Sequence, residues 1–281
     1  MFLRLFVLAA AGVALTAPLP ADQIFTFSTG DPDGKMATAS RPGLAGLFEI
    51  ESADDFVAPT ETLITGATFQ GLLTGGAGTS DVGQVAVEIY RIFPKDSTDP
   101  PSGNVPTRVN SPSDVAFDSR DFAGGGLSYA VNLINLSFTV QNSVLPGGIH
   151  PKPNQTTLGN GPVTGAQVTF DVTFTTPFDL PADHYFFVPQ VQVSGGDFLW
   201  LSAPKPIVAP GTPFTPDLQS WTRDQFLDPD WLRVGTDIVG GTTPPTFNAA
   251  FSLTGTQVPE PASWVLAGGA LAVLALRRRR A

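Results

Sequence analysis

The chain contains no cysteine and only two histidines and two methionines among 281 residues. Without thiols there can be no disulfide, no iron–sulfur cluster, no cysteine-ligated zinc and no thiol catalysis. Stability must come from a core, from chain length or from bound metal. His150 and His184 are far apart in sequence, so a histidine metal centre would need the fold to bring them together. Basic groups are scarce as well, with 15 Lys and Arg against 25 Asp and Glu. Five of the basic residues sit at the ends, as Arg4, Arg277, Arg278, Arg279 and Arg280, which leaves the stretch between near −15. Such a body repels phosphate and anionic lipid, so nucleic acid is not a partner it is built for. No Gly-x-Ser-x-Gly elbow, no His-Glu-x-x-His and no Gly-x-x-x-x-Gly-Lys occurs. These absences leave the body without a motif that names an enzyme.

What the body does have is alternation in twos. Val168, Phe170, Val172 and Phe174 fall on one side of 167–174, and Gln167, Thr169, Asp171 and Thr173 on the other. That is the pattern of a half-buried strand. Residues 132–140 repeat it, with Ile134, Leu136, Phe138 and Val140 predicted inward. Val85, Val87 and Ile89 line another inward face, opposite Glu88 and Tyr90. Phe247, Ala249, Phe251 and Leu253 form a fourth. Segments 24–28, 47–50, 64–73, 185–193 and 198–201 complete about nine strands, separated by Gly, Pro, Asn and Asp. With almost no helical pattern, the expectation is an all-β, monomeric, antiparallel β-sandwich, jelly-roll-like, over 22–254.

Two long irregular insertions interrupt it, 94–120 and 202–245. Loops of this length in a compact domain are usually functional or disordered. The second carries Trp221 and Trp231 with several acids and Arg223, and is expected to fold over a sheet. Aromatic faces beside carboxylates and guanidinium groups are what a sugar needs, so Trp221 and Trp231 are the candidate carbohydrate contacts. Asp31-Pro32-Asp33-Gly34 resembles the start of a calcium loop, although no bidentate Glu follows at EF-hand spacing. The adjacent pair Asp54 and Asp55 could add oxygen ligands. Asp31, Asp33, Asp54 and Asp55 are thus the candidate Ca²⁺ ligands, each with a plainer reading as a turn or solvated acid. The pattern Ala53-Asp54-Asp55-Phe56, followed by Ile64-Thr65-Gly66-Ala67-Thr68-Phe69, resembles a recurring opening of exported bacterial β-sandwich proteins, some with carbohydrate-binding relatives.

The ends carry the most specific signals. Arg4 followed by the apolar run 5–15 and small residues reads as a signal peptide over 1–21, cleaved after Ala21. At the other end stand Val258, Pro259, Glu260 and Pro261, then an apolar run over 263–276, then Arg277, Arg278, Arg279 and Arg280. The run would reach roughly 21 Å as a helix, against about 30 Å of hydrocarbon. Snorkelling arginine stems and Trp264 at the interfaces extend it. The arginines should stay cytoplasmic, because moving guanidinium groups across a bilayer is costly. The polar stretch 255–261 reads as a tether.

This tripartite tail resembles the PEP-CTERM sorting signal of Gram-negative bacteria. The resemblance covers only 258–281. It implies export, a pause in the inner membrane through a C-terminal transmembrane helix, and handling by the membrane enzyme exosortase. It further implies a cell-surface or matrix destination linked to exopolysaccharide. The reading of the whole is therefore an exported envelope protein with a structural or interaction role, and not an enzyme. The alternatives are a carbohydrate-binding module for that polymer and a secreted hydrolase with unrecognised carboxylates.

Overall fold

The computed structural model describes residues 23–93, 110–150, 156–205 and 217–258. The signal peptide, the apolar run 263–276 and the sorting residues Pro259, Glu260, Pro261, Arg277, Arg278, Arg279 and Arg280 lie outside them. The described residues form fifteen strands. In chain order these are β1 (Gln23–Ser28), β2 (Met36–Ala39), β3 (Ile50–Ala58), β4 (Thr62–Leu73), β5 (Val82–Arg91), β6 (Asp118–Asp121), β7 (Leu127–Val140) and β8 (Asn142–Val144). They continue with β9 (Val163–Leu180), β10 (Asp183–Val193), β11 (Phe198–Ala203), β12 (Trp221–Asp224), β13 (Leu232–Arg233), β14 (Asn248–Ala249) and β15 (Phe251–Gln257). The all-β class expected from alternation is present. Among the described residues helix is limited to two three-residue turns and one six-residue turn over Val234–Val239. Among the described residues no helix is long and apolar enough to cross a membrane.

One sheet has nine strands, along the path β1-β15-β4-β11-β2-β8, with β9 on the other side of β4, β7 beyond β9, and β14 beside β11. The second has six, in the order β13-β12-β3-β10-β5-β6. Among the described residues the strand pairings are antiparallel except β2 with β8. The inner side chains of both sheets meet in one core. Ile64, Phe69, Phe170, Trp200 and Phe251 come from the first sheet, and Phe56, Val87, Ile89, Tyr185 and Phe187 from the second. Phe69 and Phe170 are register partners on neighbouring strands and stack at 4.8 Å. Phe187 and Phe251 stack at 5.0 Å from one sheet to the other. Each such buried ring contributes about 1.5–3 kcal/mol relative to exposure. Where β11 pairs with β4 the Phe198 ring lies over Gly71, so that a Cβ there would stand 2.1 Å from it.

Several expectations are corrected. Ile134 and Leu136 point to solvent, at 57% and 79% exposure, although Phe138 and Val140 turn inward. The register of β7 on β9 shifts between Leu133 and Asn135 and again between Asn135 and Phe138. Those irregularities break the strict two-residue period on which the inward assignment relied. The segment 47–50 contributes only its last residue, since β3 begins at Ile50. Residues 255–257 belong to β15, where they pair with β1 and β4, rather than to a free tether. The described part of the insertion 202–245, from 217 onward, does fold over the sheets. Leu227, Leu232, Val234 and Ile238 cover Leu199 and Leu201 on β11, while Leu218, Trp221 and Trp231 cover Phe186 and Val188 on β10.

Candidate functional site

The outer face of the six-stranded sheet is divided. Alternation sends Val85, Val87 and Ile89 of β5 inward and leaves Gln84, Ala86, Glu88 and Tyr90 outward. One half of this face is sealed by the insertion. There Trp221 and Trp231 are 2% and 0% exposed and pack with Ala53, Tyr90, Phe186 and Val188. Neither ring offers a face to solvent. Their role in the structure is packing. The Tyr90 ring meets Trp231 edge-on at 5.3 Å, and the Arg223 guanidinium lies 4.3 Å above Trp231.

Between the sealed and open halves sits a charged cluster. Arg223 donates to both oxygens of Glu51, to the Tyr90 hydroxyl at 3.0 Å and to Asp228 Oδ1 at 2.8 Å. The Tyr90 hydroxyl lies 2.5 Å from Glu51 Oε1 and 2.7 Å from Glu88 Oε2. A phenol has one proton. If it goes to Glu51, Glu88 must carry its own proton and donate it to the phenol oxygen. Electrostatics agree. Burial, reinforced by the nearby Glu51 charge, pushes the Glu88 carboxyl up to about 7. Burial and then Glu51 raise the Tyr90 hydroxyl far beyond its ordinary value, so it stays a donor. Burial works against the Arg223 charge, but Glu51 more than restores it. The cluster is a rigid strut: Glu51 is committed to Arg223, and Glu88 to Tyr90.

Past the strut the face opens into a cleft of about 730 Å³, within the usual range for ligand sites. Gln84, Glu49, Asp121 and Gln192 supply its polar groups, and Phe122 and Leu44 stand on its apolar rim. Gln84 is held by donating to Asp121 Oδ1 at 3.0 Å and by accepting from the Ala123 N–H at 3.2 Å. Gln190 donates to Glu49 Oε1 at 2.9 Å. Burial raises the Glu49 carboxyl, with Gln190 opposing. Amides and carboxylates on a fixed floor beside an exposed ring suit a ligand rich in hydroxyls.

The four aspartates expected around calcium are distributed differently. Asp31 is exposed in its turn. Asp33 accepts from Ser202 Oγ at 2.5 Å and from the Lys35 N–H at 3.0 Å, which pins the turn to β11. Asp54 is fully buried rather than solvated. Its Oδ2 accepts from the Ala249 N–H at 2.8 Å, and burial followed by the Asp55 charge pushes its carboxyl well above the usual range. Asp55 points to the opposite face and lies 2.7 Å from His184 Nε2, while its Oδ1 accepts from the Leu218 N–H at 3.1 Å. Burial raises Asp55 and His184 opposes it. Among the described residues no group of three or more His, Cys, Asp or Glu converges as a metal ion requires.

Sequence reasoning did not single out Glu49, Glu51, Glu88, Gln84 or Asp121. One signal for them was present. Alternation already set Glu88 and Tyr90 opposite the inward valines, but it could not say which strands would flank them.

Comparison with known proteins bears on the tail alone. The family model of the PEP-CTERM protein-sorting motif matches residues 257–280. No curated protein matches the chain, and no solved structure does. The tail is a PEP-CTERM sorting motif, as its order of proline, apolar and arginine elements implied, and it directs the chain to exosortase.

Proposed function

We propose that the chain is made with a cleaved signal peptide, pauses in the inner membrane through 263–276, and is released to the cell surface or matrix by exosortase acting near Pro259-Glu260-Pro261. The observation that carries this is the sorting motif at 257–280. The fold is compatible with it. β1 pairs with β15 so that Gln23 lies opposite Gln257. The body therefore meets its exported leader and its membrane tail at the same end of the same sheet, and could hang from the membrane by that edge. We read the two sheets as a jelly-roll-like sandwich with a structural or interaction role beside exopolysaccharide, and not as an enzyme. In support, Glu51 is held in an ion pair and Glu88 is bound to Tyr90, so neither is free to serve a reaction.

Two variants of the full chain in its native host test the sorting reading. Replacing Arg277, Arg278, Arg279 and Arg280 by serine should let unprocessed chain leave the membrane. Replacing Pro259, Glu260 and Pro261 by alanine should leave it in the membrane untrimmed. Intact mass and fractionation read both. Wild-type trimming and location in both variants would defeat the proposal.

The cleft favours a second reading, a carbohydrate-binding function for the same polymer. It rests on Gln84, Gln192, Glu49 and Asp121 gathered beside exposed Phe122. Co-sedimentation with extracted exopolysaccharide should then fall severalfold for Phe122→Ala and Gln84→Ala, and stay unchanged for Trp231→Phe, whose ring is buried. Equal retention of all variants would remove it.

A further inference from the structure

The bulged part of β7 presents Leu133, Ile134 and Leu136 to solvent at 48%, 57% and 79% exposure. A single exposed leucine needs no explanation, but three within four residues make a convex apolar knuckle. Beside it lies a groove of about 520 Å³. Leu133 and Leu136 form one wall, Leu73, Gly165 and Ala166 line it further, and Gly78, Thr79 and Ser80 stand opposite. No lining residue is charged. The neutrality extends far beyond the groove: from Phe122 to Phe170 the sequence holds one formal charge, Lys152. Elsewhere in this acidic chain such an interval is not found.

Three occupants compete for this patch. The described chain that leads into the tail ends far from the groove. β15 ends at Gln257 opposite Thr62, whereas the groove lies at Leu73, the other end of β4. Eleven residues of extended strand separate them by roughly 36 Å. The same distance turns the knuckle away from a membrane holding the tail. A charged partner would gain nothing from a neutral surface. A second copy of this chain fits on two counts. Bodies near −15 repel one another, and this patch adds no formal charge to oppose their association. A convex and a concave apolar feature side by side are also self-complementary under a two-fold axis, where each knuckle enters the other's groove.

We propose that the protein forms a two-fold dimer through β7, with Leu133, Ile134 and Leu136 of each copy seated against Leu73, Thr79, Ser80 and Ala166 of the other. This replaces the monomer expected from sequence. It does not depend on sorting or glycan binding. The bulges limit the association to a dimer, because an irregular edge is a poor template for continued strand addition.

The absence of cysteine makes the test clean. Full-length Leu136→Cys and Thr79→Cys chains, in neutral detergent, are treated with a short bis-maleimide separately and as a mixture. The mixture should yield covalent dimer well above either variant alone, while Ile24→Cys on the far edge strand should yield none. Sedimentation of the otherwise unaltered chain should show dimer that Leu136→Glu weakens about tenfold or more, with an unchanged far-ultraviolet spectrum. A monomer at every concentration, a dimer indifferent to Leu136→Glu, or no gain in the mixture would overturn the proposal.

Discussion

At the scale of single residues, the informative side chains are those the fold has taken out of water with their polar atoms attached. Trp231 is enclosed by Tyr90, Phe186, Trp221 and the Arg223 guanidinium. Trp231→Ala should cost about 3–5 kcal/mol, from lost transfer energy plus the cavity left behind. Urea unfolding would show it as a lower midpoint at unchanged slope. Glu88 makes a prediction in pH. Its folded value of about 7 lies above its ordinary 4.5, so the native state holds a proton that the unfolded chain releases. The stabilisation is full below about 4.5 and is lost as pH rises through about 7. Its upper bound is about 3 kcal/mol. Glu88→Gln mimics the protonated form, so the variant should decline less steeply across that window than the wild type, the remainder coming from the other buried acids. Equal steepness in both proteins would show that Glu88 does not hold a proton donated as a hydrogen bond to Tyr90.

At the scale of elements, the pairing of β4 with β11 is a tight constraint. A Cβ at Gly71 would meet the Phe198 ring at 2.1 Å and the Leu199 carbonyl at 2.8 Å. Gly71→Ala should therefore destabilise by about 1–3 kcal/mol, although alanine suits a strand better than glycine. A thermal melt of the pair decides it, and an unchanged or raised midpoint would mean that β11 can shift away. Much at this scale was legible from the chain alone. The alternation over 167–174 located β9, and Val168, Phe170, Val172 and Phe174 are buried as expected. Alternation failed in β7, where the bulges turned Ile134 and Leu136 outward. It also gave no hint of short β2, β8 and β12, whose existence depends on partners far away in sequence.

At the scale of the whole molecule, acidity and burial act together. Burial raises Glu49, Asp54, Asp55, Glu88 and Asp224 in the folded state. Each then favours the native state while protonated and loses that contribution as pH rises through its folded value. Repulsion among the remaining acids adds to the same trend. Unfolding midpoints should consequently be higher near pH 5 than near pH 8, with the decline concentrated below about 7 for the Glu88 share. Midpoints that rise steadily toward alkaline pH would contradict this account.

The sequence by itself determined the class and the address. Two-residue alternation is a local property of neighbouring residues, and it sufficed for an all-β body. The order of prolines, apolar run and arginines is equally local, and it sufficed for the sorting motif at 257–280. Only the tertiary structure decided what faces what. Tyr90, Glu51 and Arg223 meet because β5, β10, β3 and β12 are neighbours in register, across as many as 172 residues of chain. Asp54 and Asp55 looked like one solvated pair, yet adjacent residues on a strand point to opposite faces, and both faces of β3 are covered. Trp221 and Trp231 looked available on a long loop, and packing enclosed them. Local pattern specifies which side of a strand is apolar; strand neighbours and covering loops specify which polar groups stay in water.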